Sequence, residues 1–373
     1  MKNIVSEQQG LYLPASKRLP ISSLIAVFKN TSASYKFYWF LSILELAEKG
    51  KEDYTFRELN IRMIALSWYT INFHKLSFGS QDKLEQAIKT IISFSDGKIG
   101  ENDDKDKIIK FLEHNYDIFK KEITHFNKKV PYHFLSPFIG TQKNIKQWIE
   151  ASLMKYNDNS PCLYHLSRDH ISIHPEWLEY LIDNKRLLID FSLWNFVHKF
   201  LEPRNPNIPN ITQKLIKRPK RESLNIQTKL WDSFAKEVNL ISIYTKKKID
   251  EYALDHFVPW SFVSHNQLWN LAPIESSLNS SKSNKLPNKN LVDTFCEQQF
   301  HFFNHIISSD SLKISKKKLE DYSNIFKLHT KDIVLKEKGE FIRALSDHIN
   351  PLLQFASNSG FQNWEYDIYR KAI

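Results

Sequence analysis

Asp255 and His256 stand side by side, and Asn270, Asn279 and Lys282 follow 15, 24 and 27 positions after Asp255. Neighbouring residues at a strand end send their side chains in different directions, so such a pair can divide a task between a bound ion and a water. A carboxylate is a hard oxygen ligand suited to Mg²⁺. A histidine, with an intrinsic pKa near ~6.5, can act as a general base around neutrality. Asn279 offers a neutral oxygen that could complete an ion site. Lys282, three residues further on a helix, shares its face and could meet a phosphate. Taken singly, these residues also suit a plainer reading as strand-end polar groups and a helix cap. It is the common register that points to chemistry.

The elements that must position them are read from the surrounding texture. Leu240–Tyr244 (LISIY) is a strand candidate, Thr245–Lys248 a basic turn, and Ile249–Leu254 a second strand. A long loop then carries Asn270-Leu271-Ala272-Pro273. A short helix is expected from about Ile274 to Lys285, ended by Pro287.

This segment resembles the HNH endonucleases, the ββα-metal nuclease fold, and its D-H…N…N-x-x-K register is similar to that of the HNH module in RNA-guided CRISPR effectors. The resemblance spans Trp231–Pro287, about 15% of the chain, and also takes in Phe257, Pro259, Asn270-Leu271 and Pro273. It implies a role at each position. Asp255 matches a metal-ligating aspartate and His256 the histidine that activates water. Asn270 matches a central asparagine that ties the loop and orients the histidine. Asn279 stands where many members have a last histidine, so it is expected to complete a site for one Mg²⁺ or Mn²⁺, with Zn²⁺ or Ni²⁺ disfavoured. Lys282, and after it Lys285, would stabilise or position the phosphate. Many members also carry C-x-x-C pairs around a structural zinc. Here that region reads Ile241-Ser242-Ile243-Tyr244, so no structural zinc is expected.

Composition narrows the class around this segment. The 373 residues include 52 Lys and Arg against 42 Asp and Glu, a net charge of +10, and 42% are hydrophobic, enough for a full core. That surplus is compatible with a polyanionic partner. Basic residues gather at Lys214–Arg221, including Arg218 and Arg221, and again at Lys246, Lys247 and Lys248. These, with Lys285, are the expected nucleic-acid contacts. Only 8 glycines occur, and neither G-x-G-x-x-G nor G-x-x-x-x-G-K-[ST] is present. The two cysteines, Cys162 and Cys296, cannot build a disulfide framework. Met1–Gly10 lacks the apolar stretch of a secretory signal. No run of about 18 apolar residues suggests a membrane span. A cytoplasmic setting is expected.

The remaining histidines attract a blander reading. His165, His170 and His174 cluster, and His301 and His305 sit at i,i+4, but neither group has accompanying cysteines or the H-E-x-x-H glutamate. Both are read as surface or core histidines, and His265 as a loop residue or phosphate contact. Upstream, helical patterns are expected at Ser34–Glu48, Phe56–Phe73, Gln81–Ser93, Ile108–Lys128, Gln142–Leu153 and Trp177–Lys199. Pro131–Gly140 reads as a loop and Leu163–His174 as a short hairpin.

The resulting expectation is a mainly α protein with a small α+β module. Residues 1–221 form a helical region for target recognition or partner binding, 222–290 the HNH module, and 291–373 a helical C-terminal extension. The module implies a metal-dependent endonuclease acting on DNA in preference to RNA. The setting expected for it is phage defence or restriction, with an ATPase or another defence subunit as candidate partner and no membrane. The reading from a different class is a non-catalytic nucleic-acid-binding or assembly protein that retains the HNH shape.

Overall fold

A computed structural model describes residues 13–309, 319–333 and 336–365. Met1–Gly10 lies outside them, as do 310–318, 334–335 and 366–373 of the expected C-terminal extension. The chain is mainly α, with one three-stranded and one two-stranded sheet among the described residues. It divides into two compact units, Met1–Pro206 with Lys214–Pro219, and Asn207–Gln213 with Lys220–Ile373.

The first unit is built around the helix Tyr35–Ala47, of whose thirteen residues ten are buried. A helix apolar on nearly every face must sit at the centre of a bundle. Beside it runs the helix Phe56–Trp68, started by a capping box in which Thr55 and Glu58 satisfy each other's backbone N–H groups. The hairpin expected at Leu163–His174 is present as strands Tyr164–Leu166 (β2) and His170–Ile173 (β3). A third strand, Asp53–Thr55 (β1), pairs antiparallel to β3. Nothing in a three-residue polar stretch announces that strand.

Three expectations need correction here. Val130–Ile139 is a helix where a loop was expected. Pro131 lies in its first turn, where the missing N–H has no partner to lose, and Val130, Phe134, Leu135 and Phe138 bury one face. Gly140, at φ 73, ends it. The long helix expected over Ile108–Lys128 stops at His114, and a short one resumes at Lys120. The one expected over Trp177–Lys199 is two helices, Pro175–Asp183 and Lys185–Phe196, parted at Asn184. Periodicity is blind to these breaks because both flanks continue the same apolar spacing.

The second unit holds one apolar core. The helix Asn225–Glu237 contributes Leu230, Trp231 and Phe234, and the helix Val292–Ser308 contributes Phe295, Phe302 and Phe303. Trp231 stacks on Phe302 at 3.9 Å, and Phe257 on Phe295 at 4.1 Å. Phe341, Leu345, Ile349 and Leu353 form one face of the helix Lys338–Asn358 and join that core. The residues following this helix pack back on the chain near Leu286, whose carbonyl accepts the Trp364 amide at 2.7 Å.

The strand expectations in this unit are displaced. The paired strands are Ala253–His256 (β4) and Leu271–Ile274 (β5), antiparallel, with Asp255 opposite Ala272 and His256 opposite Leu271. The expected first strand, Leu240–Tyr244, makes only a single bridge, Ile241 to Lys248. The reason is local turn chemistry. Ser242 Oγ accepts the amides of Tyr244 and Thr245, Lys246 turns at φ 60, and Glu275 takes the hydroxyls of Ser242 and Thr245. A chain bent this way cannot extend a ladder. The helix that follows β5 runs Ser276–Lys282, and it ends at Ser283, φ 48, before Pro287 is reached.

Candidate active site

β4 delivers Asp255 and His256 to the inside of the second unit, 3% and 7% exposed. The two side chains part as neighbours on a strand must. Asp255 meets the helix Ser276–Lys282 on one side and the turn at Tyr244 on the other. The Lys282 ammonium lies 3.0 Å from each of its carboxylate oxygens, and the Tyr244 hydroxyl donates to Oδ2 at 2.6 Å. Lys282 also donates to the carbonyl of His256 at 2.8 Å. This lysine, expected to face a phosphate, is fully buried with its charge turned inward. Burial pushes the Asp255 carboxyl up and the Lys282 ammonium down, and their mutual attraction opposes both shifts.

His256 points toward Asn266, whose side-chain oxygen lies 3.0 Å from Nε2. Asn266 is itself oriented by donating Nδ2 to the Glu222 carbonyl at 3.3 Å. That arrangement places the imidazole proton on Nε2 and leaves the Nδ1 lone pair as acceptor. Burial, followed by the positive charges of Arg221, Lys282 and His265, lowers the His256 pKa to about 3, against the pull of Asn266. The ring is therefore neutral at physiological pH.

Asn270 is fully buried between the strands. Its Oδ1 accepts the amide of Val258 at 2.8 Å, its Nδ2 donates to the Val258 carbonyl at 2.9 Å, and its own carbonyl accepts from Phe257 at 2.8 Å. One side chain thus brackets the backbone just after His256. Asn279 lies on the helix Ser276–Lys282 and is half-buried. Its backbone bonds to Glu275 and Ser283 hold it in the helix.

Of the expected nucleic-acid contacts, Arg221, Lys246, Lys247, Lys248 and Lys285 belong to the same unit as this centre. Arg221 reaches Asn284 at 3.5 Å and stands over the Trp260 ring at 5.5 Å. Lys246 donates to Thr294, Lys247 is exposed and Lys248 pairs with Asp250. Lys285 follows the helix Ser276–Lys282 and is half-buried. Arg218 belongs to the other unit, where it bonds the Asn102 carbonyl and faces Asp104. Tyr244 and Asn266 were not singled out from the sequence. They meet Asp255 and His256 from 11 and 10 residues away, and no local pattern marks such partners.

Four of the remaining histidines have protein partners: His165 with the Leu166 carbonyl, His170 with Asp169, His174 with the Glu176 amide, His305 with Glu237. Among the described residues, no three His, Cys, Asp or Glu side chains gather as a metal-ligand set. Asp255 is a hard oxygen donor of the kind a cation takes, but Lys282 and Tyr244 hold both of its oxygens, so a metal there would have to displace one of them. A carboxylate and an amide oxygen are the donors a largely hydrated Mg²⁺ or Mn²⁺ accepts.

Comparison with known proteins adds one match. The family model for HNH endonucleases matches residues 241–288, the stretch holding the turn, both strands and the helix just described. No curated protein and no solved structure matches the chain. The paired strands, the following helix and the side chains they gather coincide with that match, and residues 241–288 are accordingly an HNH endonuclease domain within this chain.

Proposed function

We propose that this domain hydrolyses phosphodiester bonds in DNA, with His256 as general base and one Mg²⁺ or Mn²⁺ held by Asp255 and Asn279. The observation that carries the proposal is the orientation of His256, whose Nε2 faces the Asn266 side-chain oxygen at 3.0 Å and so leaves Nδ1 as the acceptor. Its Nδ1 is then the acceptor for a proton from the attacking water. Asn266 stays on Nε2 as the ring becomes charged and supports the imidazolium. Asn270 fixes the backbone after His256 and so its aim. A divalent ion, when bound, supplies charge neutralisation at the phosphate and the leaving oxygen. Lys282 holds Asp255 and the His256 carbonyl in register and provides positive charge close to the site. Lys285, Lys246, Lys247, Lys248, Arg221 and Arg218 are the cations we assign to the nucleic-acid backbone. Residues 1–221 select the target or bind a partner, such as an ATPase, in restriction or phage defence. The two free, buried thiols support a reducing, cytoplasmic setting.

The test is cleavage of plasmid, single-stranded DNA and RNA with Mg²⁺, with Mn²⁺ and with EDTA. His256→Ala and Asn279→Ala are each expected to lower metal-dependent DNA cleavage at least about 100-fold while remaining folded. Undiminished cutting by either variant refutes the assignment, and cutting of RNA alone refutes the substrate. One observation favours the non-catalytic reading, that both oxygens of Asp255 already have partners. It predicts that Mn²⁺ neither binds nor supports cleavage.

A further inference from the structure

The first unit contains a cavity of about 410 Å³ whose lining includes Thr31, Tyr35, Lys36, Gln81, Lys129 and His133. Its volume falls within the ~300–1,000 Å³ of small-molecule sites. Among the described residues no carboxylate lines it. Asp82, the acid next to Gln81 in sequence, is committed to the amides of Ser34 and Leu84. Lys36, Lys129 and His133 are close enough that the two ammonium charges act on the imidazole and disfavour its protonation, after burial. Two lysines and a histidine lining one cavity with no carboxylate among its lining residues make a basic surface that an anion can neutralise.

The donors around them suit phosphate in particular. Lys36 spends bonds on the Val27 and Asn30 carbonyls, which fix its stem, and an ammonium has three N–H groups to give. The Tyr35 hydroxyl accepts the Lys83 amide at 2.6 Å and keeps its own proton to donate. Thr31 adds a hydroxyl and Gln81 an amide. The cavity is larger than one phosphate needs, and flat rings stand at it: Tyr35, packed edge-on to Phe126 at 5.1 Å, and His133, braced by Trp148 at 5.9 Å. A base can lie against such faces.

We propose that this cavity is a nucleotide-phosphate site, Lys36 and Lys129 binding the phosphate and Tyr35 and His133 the base or sugar. The nucleotide comes either free or as the 5′-phosphorylated end of a strand. The proposal is independent of the nuclease chemistry, and it is measured in EDTA so that cleavage plays no part.

Full-length protein is titrated with inorganic phosphate, with AMP, and with a fluorescent oligodeoxynucleotide carrying either a 5′-phosphate or a 5′-hydroxyl. Binding of AMP, or of the 5′-phosphorylated strand in preference to its 5′-hydroxyl twin, is expected, and which of the two is tighter identifies the source. Lys129→Glu and, separately, Lys36→Gln should each weaken that binding at least about tenfold, the loss of one charge-assisted bond. Lys129 is exposed, so its variant folds as the parent does, and an unchanged melting curve checks this. The proposal is overturned if neither AMP nor the phosphorylated strand binds at millimolar concentration. It is equally overturned if strand binding ignores the 5′-phosphate and AMP does not bind, or if Lys129→Glu binds as the parent does.

Discussion

Asp255 is held from two sides by donors of different character, a neutral phenol and a buried ammonium. The energies of these two contacts differ in kind. Tyr244→Phe removes one hydrogen bond while the ring keeps its packing against Trp364, and should cost about 1–3 kcal/mol. Lys282→Met removes the ammonium paired with a buried carboxylate and should cost about 3–5 kcal/mol. Urea unfolding midpoints at unchanged slope measure both. A loss for Lys282→Met no larger than for Tyr244→Phe would show that the ion pair is not what stabilises this corner. Of the residues concerned, Asp255 and Lys282 were legible in the sequence because they belong to one register. Tyr244 was not, since its role depends on a turn folding back across 11 residues.

The loop between β4 and β5 depends on one amide. Asn270 satisfies both the N–H and the C=O of Val258 deep in the core, where neither can turn to water. Asn270→Ala is therefore expected to cost about 1–3 kcal/mol for each group it orphans, read as a lowered melting temperature. A variant that melts within a degree of the parent would mean the loop is held otherwise. The strands themselves were misplaced by pattern. LISIY has the composition of a strand, yet Ser242, Thr245 and Glu275 bend it into a turn, and β5, with Pro273 inside it, does not look like one. Proline is tolerated there because β5 is a two-stranded sheet's edge. Strand pairing is a non-local event, and single-strand texture cannot choose the partner.

Across the whole molecule, each unit has its own buried core, and the chain passes from one to the other through Asn207–Gln213 and Lys214–Pro219. The segment that follows is exposed at Lys220, Arg221, Glu222 and Ser223. Brief trypsin treatment of the native protein should cut first after Lys220 or Arg221 and leave two fragments that resist further digestion, as mass spectrometry would read. Early cuts inside Tyr35–Ala47 or Val292–Ser308 would contradict that division. The positive surplus serves the two units differently. In the second it lies around the nuclease domain, at Lys246, Lys247, Lys248 and Lys285, while in the first Lys36 and Lys129 gather at a cavity.

Long apolar periodicities made the mainly helical class legible in the sequence, and five polar residues in one register did the same for the HNH endonuclease domain, which the family match places at 241–288. Such information is local, residue type and spacing along one stretch of chain. Tertiary structure alone decided which strands pair, that Asn266 sets the tautomer of His256, and that Lys282 faces inward to Asp255. It alone brought Lys36, Lys129 and His133 to one cavity from nearly a hundred residues apart. These outcomes turn on burial and on contacts between distant segments, where desolvation and the need to pair every buried polar group select the arrangement.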